Sequence, residues 1–180
     1  YYTIYKKGIR FIFLSAISTS GNAKHICHLG SEQLAWLTKE LNADTNSTTA
    51  IFFHAPVFET TWHSEDREQE KPPGSMYLYE SKEMRNLFNE HPNIKIYAHG
   101  HLHHRYGVVD ELGRGDYYKQ DNVLHISVGA TANNQGSSVL FIRDNEIVVK
   151  VRDHQNQSWQ NSYEYIYPLN TTLQPALVNH

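Results

Sequence analysis

Two short stretches of the chain, "IRFIFLS" (Ile9 to Ser15) and "AIFFH" (Ala50 to His54), are apolar at odd and even positions alike. Successive side chains of a strand point to opposite faces, so Ile9, Phe11 and Phe13 share one face while Ile12 and Leu14 share the other. Ile51 and Phe53 likewise stand opposite Phe52. Such a strand is stable only where both faces are buried, the condition of a parallel sheet inside a layered α/β fold. The intervening segments agree. "SEQLAWLTKELN" has the helical period, with Ser31 as the expected N-cap, Glu32 in the first turn, and Leu34, Leu37 and Leu41 on one face. A second helix is expected from Ser81 to Asn89, turning Met84, Leu87 and Phe88 to a core and ending before Pro92. "IKIYA" then supplies a third strand. Strand, helix, strand, helix, strand reads as two βαβ crossovers with parallel strands.

From Gly107 the texture changes. "VLHISVG", "SVLFIR" and "EIVVKVRD" are strands separated by short turns such as "RDNE", and "SYEYIYPL" adds another, so an antiparallel meander is expected. The 180 residues fit a single domain, 1–180. Two helices cover only one face of the parallel sheet. A naked apolar face of several hundred Å2 is more than a monomer usually tolerates, so a homodimer is expected, with an apolar interface above about 1,000 Å2.

The formal net charge of −3 leaves no electrostatic footprint for nucleic acid or an anionic membrane. No apolar run approaches the roughly 18 residues of a membrane span. Neither a membrane nor a specific nucleic acid is expected as a partner. The single cysteine, Cys27, excludes an internal disulfide and a thiolate-cage zinc site, which leaves His, Asp, Glu and Asn as the expected metal donors.

The histidines are unevenly spread. "KIYAHGHLHHR" carries His99, His101, His103 and His104, four of the chain's 12 histidines. This cluster follows the third strand, and His54 ends the second. The C-terminal edge of parallel strands is where ligands bind in open α/β sheets, and imidazole is the commonest metal ligand. Gly100 is expected to let the backbone turn between neighbouring ligands. Spacing alone leaves open which histidines ligate. His25, His28, His91, His154 and His180 read as surface or hydrogen-bonded residues, and His125 reads as a core histidine. The polar stretch from Val57 to Glu80 is too long for a plain connector. Its Trp62, His63, Tyr77 and Tyr79 are candidates to wall a pocket, with His63 a candidate substrate contact. Arg105 could meet a phosphate through a charge-assisted pair.

Gly100-His101-Leu102-His103 within "AHGHLHHR" resembles the last motif of the calcineurin-like metallophosphoesterases. "IFFHAPVF" resembles the motif before it, "LGSEQLAWLTKEL" the helix between, and "YYTIYKKGIRFIFLS" the hairpin that opens that family's second half. The resemblance implies an α/β/β/α sandwich that hydrolyses phosphomonoesters or phosphodiesters at a dinuclear metal site. It places His54 and His101 on one divalent ion and His103 on the other, the ions being Mn, Fe or Zn. His99 and His104 do not fall on ligand positions.

The family's first three motifs, Asp-X-His, Gly-Asp-X-X-Asp and Gly-Asn-His-Asp or Glu, do not occur. Gly115-Asp116 is followed by Tyr, Tyr and Lys, and Gly21-Asn22 by Ala. The bridging Asp and the acid histidine are therefore expected in a missing N-terminal half, which would also supply most of the second sheet. The chain reads as the C-terminal half, inactive alone, binding one ion weakly or none, and acting when whole on a small phosphoester. The alternatives are a non-catalytic mononuclear metal-binding module and one chain of a two-chain phosphoesterase. The sequence does not fix the compartment, since any targeting segment would lie upstream of Tyr1; the cytoplasm is only slightly favoured.

Overall fold

A computed structural model describes residues 1–18, 27–61, 76–103, 106–107, 109–129 and 136–169. The doubly apolar segments form the strands they predict. A hairpin of β1 (Tyr2–Lys6) and β2 (Ile9–Phe13) is followed by the short strands β3 (Ile17–Ser18) and β4 (Cys27–His28), helix α1 (Gly30–Ala43) and β5 (Thr48–Phe52). Then come α2 (Ser81–Glu90), β6 (Ile94–His99), β7 (Tyr117–Gln120) and β8 (Val123–Ser127). The chain continues through β9 (Gly136–Ile142), β10 (Glu146–Asp153) and β11 (Ser158–Pro168). Among the described residues no helix is long and apolar enough to cross a membrane.

The main sheet is mixed, in the order β1-β2-β5-β6-β8-β7. Its middle strands β2, β5, β6 and β8 are parallel, and β1 and β7 close the two edges antiparallel. The expected alternation holds. Ile12, Ile51, Phe53 and Tyr97 face the helices with Leu37, Leu41, Met84, Leu87 and Phe88. Ile9, Phe11, Ala50, Ile96 and Ala98 face the other way.

Two expectations are corrected. β8 does not belong to the meander. All five of its residues are buried, so it needs cover on both faces and pairs parallel to β6 instead. β7, for which the sequence pattern names no element, is the hairpin partner that returns the chain to start β8. The second face is also not naked. β9, β10 and β11 form a separate antiparallel sheet, and Ile147 and Val149 pack on Ile9, Phe11, Ile96, Leu124 and Ile126 of the main sheet. The cover assigned to a missing half or a second copy is in good part supplied by this chain, which removes the naked face on which the homodimer rested.

The start of α1 departs from its expected cap. Leu29, not Ser31, occupies the N-cap position, and no side-chain cap bond forms there. The Glu80 carboxylate, arriving from the start of α2, accepts from the Leu29 and Gly30 N–H groups at 3.0 Å each. An anionic acceptor at a helix N-terminus also complements the helix dipole. Gly30 has φ +77°, a conformation that a β-carbon disfavours and glycine adopts freely.

Because Ile147 and Leu37 sit in cores on opposite faces of the same sheet, Ile147→Ala and Leu37→Ala should each lower the unfolding free energy in urea by about 2–5 kcal/mol. A negligible Ile147 effect would show that the second sheet does not close the core. His125 provides a separate test. It is buried against the rings of Phe88 and Tyr97, and burial pushes its pKa down to about 3. A depressed histidine pKa stabilises the fold above the unfolded value of about 6.5, and that contribution is lost as pH falls towards the folded value. Urea titrations between pH 6.5 and 4 should therefore show a downward slope, of which His125→Leu removes about one proton's share.

Candidate metal centre

The parallel ladder runs on past the ends of its strands and so aligns the histidines. Phe53 N–H donates to the Ala98 carbonyl at 3.0 Å, Gly100 N–H to the His54 carbonyl at 3.0 Å, and Val128 N–H to the His99 carbonyl at 2.7 Å. The Tyr97 hydroxyl donates to the Ala55 carbonyl at 2.8 Å, which holds the backbone next to His54. Two residues 47 apart in sequence thereby meet: His101 Nδ1 lies 2.8 Å from His54 Nε2, with the rings edge-on at 70°. One nitrogen of the pair carries the proton and the other accepts it.

The turn that presents His101 differs from expectation. Gly100 is not in the left-handed region; His101 (φ 73°) and His103 (φ 53°) are. Leu102 N–H donates to the Gly100 carbonyl at 2.9 Å, so His101 is the central residue of a γ-turn with positive φ, a rare and strained conformation. Leu102, buried beneath the turn, holds it in place.

Among the predicted ligands, His54 and His101 are brought together. His103 is exposed and stands outside the group of donors that converge within 4.8 Å, although its charge acts on His54. Burial first, then His101 and His103, lower the His54 pKa, so this imidazole is neutral at pH 7 with a lone pair to offer. His63, His104 and Arg105 lie outside the described residues. Tyr77 is buried, with its ring edge-on to Phe58. Tyr79 lines a cavity of about 400 Å3 with Ser81, Lys82 and Arg85. His99 is buried at the sheet edge.

The sequence reading missed Cys27. It was set aside because one thiol cannot form a cage, yet its Sγ lies 4.0 Å from His101 Nε2. Cys27, His54 and His101 can each offer a ligand atom within 4.8 Å of the other two, and no carboxylate among the described residues joins the group. The missed signal was topological. Cys27 precedes α1 in the first βα connection, which opens at the same sheet edge as His54. Burial raises its thiol pKa. Beside His54, a cavity of about 430 Å3 opens between the two sheets, lined by Phe13, Phe52, His99, Val128 and Leu140.

With this geometry, the solved structure of a dimetal phosphatase from Danio rerio superposes at a TM-score of 0.63. The fold is metallophosphoesterase-like. The match covers 91% of this chain at 12% identity, a level that speaks to the fold alone, and it covers 58% of the phosphatase, so the chain spans little more than half of that protein's length. Neither a family model nor a curated protein sequence matches the chain. The metallophosphoesterase-like sheet edge carries two nitrogen donors and one sulfur, a set suited to a single borderline divalent ion.

The γ-turn yields a stability test. Alanine retains the strain of φ 73° at position 101, and glycine does not. His101→Gly should therefore be more stable than His101→Ala by about 1 kcal/mol in urea unfolding, the reverse of the usual order. Equal stabilities would mean the turn relaxes once the imidazole is gone.

Proposed function

We propose that the chain is the C-terminal, histidine-bearing half of a metal-dependent phosphohydrolase acting on small phosphomonoesters or phosphodiesters. The observation that carries this reading is the His54–His101 pair, 2.8 Å apart at the C-terminal edge of a metallophosphoesterase-like sheet. In this reading His54 and His101 hold one divalent ion and His103 a second, with Mn, Fe or Zn as the ions. When bound, such a pair lowers the pKa of a water and neutralises charge on the phosphoryl oxygens. The protein's part is to orient neutral imidazoles on a rigid edge and, through Arg105 and His63, to meet the phosphate. The bridging carboxylate and the acid histidine come from an N-terminal half, in cis or in trans.

A second reading, a non-catalytic module for one metal ion, is favoured by a specific observation: no carboxylate among the described residues joins the histidine pair. Hydrolysis of bis-(p-nitrophenyl) phosphate separates the two. The 180-residue chain should turn over no faster than its His101→Ala variant. Restoring an N-terminal half should raise the rate by orders of magnitude, since activation of water at the metal is the main driving effect. Robust turnover by the chain alone, lost in His101→Ala, would overturn the half-enzyme reading, and no gain on restoration would favour the binding module.

A further inference from the structure

The donor set at the sheet edge differs from the all-histidine set that sequence reasoning assigns. We infer that Cys27 is the third ligand of a Cys-His-His site with His54 and His101, which binds one thiophilic divalent ion, zinc foremost, on this chain alone. The inference rests on the proposed function only for the pair His54 and His101.

The argument starts from how each ligand is held. Cys27 pairs with Ser18 across β3 and β4, bridges to Leu78, and its carbonyl accepts from Tyr79 N–H at 2.9 Å. Its backbone is thus fixed from both sides, while His54 and His101 are tied to each other through Gly100 N–H. Three ligands from three separate connections converge at one edge without needing a mobile segment, the preorganisation that a metal site requires. The cysteine is 8% exposed, so the sulfur lies in the rim of the core and the histidines lie towards solvent. An ion among them would keep one open position on the exposed His54 side.

Distance and chemistry agree. The three donor atoms lie within 4.8 Å of one another. Tetrahedral zinc, with Zn–N about 2.0 Å and Zn–S about 2.3 Å, separates its donors by roughly 3.3–3.6 Å. The Cys27 Sγ contact at 4.0 Å is to His101 Nε2 and the His54 contact at 2.8 Å is to His101 Nδ1, so the His101 ring turns when one of its nitrogens joins an ion shared by all three. Magnesium and manganese prefer carboxylate, carbonyl and water oxygens, of which the group has none, whereas sulfur with imidazole suits zinc and cobalt. Binding replaces the thiol proton, so one proton leaves Cys27 for each ion taken up.

Cobalt(II) titration of the intact chain tests this. The wild type should bind one cobalt per chain with visible d–d bands and a near-ultraviolet thiolate-to-cobalt charge-transfer band. Cys27→Ser should lose the charge-transfer band and weaken zinc binding by at least the roughly 10–100-fold seen when a residue that merely positions a ligand is removed. Zinc should displace the cobalt, and manganese in large excess should not. In parallel, zinc should slow alkylation of Cys27 by iodoacetamide in the wild-type chain, a readout that needs no variant to fold. Visible bands without a thiolate band, or alkylation unaffected by zinc, would overturn the role of Cys27 while leaving the His54–His101 reading intact. Absence of any cobalt spectrum would overturn the site proposed on this chain alone, while the half-enzyme reading stands or falls by the hydrolysis assay.

Discussion

The burial of four parallel strands on both faces is the constraint on which everything else here depends. β2, β5, β6 and β8 carry apolar side chains at both parities, so helices must cover one face and a second sheet the other. Once both faces are covered, the strand ends are where polar groups can reach solvent. The connections that leave those ends carry Cys27, His54 and His101 to one edge. Sheet hydrogen bonding also limits how far that edge can flex, because it continues through Phe53, Gly100 and Val128.

The edge combines this rigidity with local strain. His101 occupies a left-handed γ-turn that a β-carbon disfavours, and the burial of Leu102 together with the Gly100–His54 hydrogen bond offsets that cost. Across this turn His101 is half-buried, Leu102 is buried and His103 is exposed.

The charge balance at the edge separates the two functional readings. His101 and His103 lower the pKa of His54, and no carboxylate among the described residues joins the group to stabilise a second cation. A dinuclear hydrolytic site needs negative ligands from elsewhere. A single ion held by one thiolate and two imidazoles does not, since the thiolate supplies its own charge.

Local periodicity made much of this legible in the sequence. The alternation in "IRFIFLS" and "AIFFH" set Ile12 opposite Phe11 and Ile51 opposite Phe52, because a strand's side-chain period is a property of the backbone alone, and the register of β2 with β5 then put Ile12 and Ile51 in one layer. The helical faces of Leu37, Leu41, Met84 and Phe88 followed in the same way, and the topological rule for parallel sheets put His54 and His101 at one edge. What only the tertiary structure decided depends on distant segments meeting. Glu80 replaced Ser31 at the start of α1 from 50 residues away, β8 left the meander to lie beside β6, and β9–β11 covered the face left to another chain. Cys27 came within 4.0 Å of His101 from 74 residues away. A sequence encodes which side of an element is apolar, but the identity of the neighbour across a layer or around an edge is set by the packing of the whole chain, which no local pattern carries.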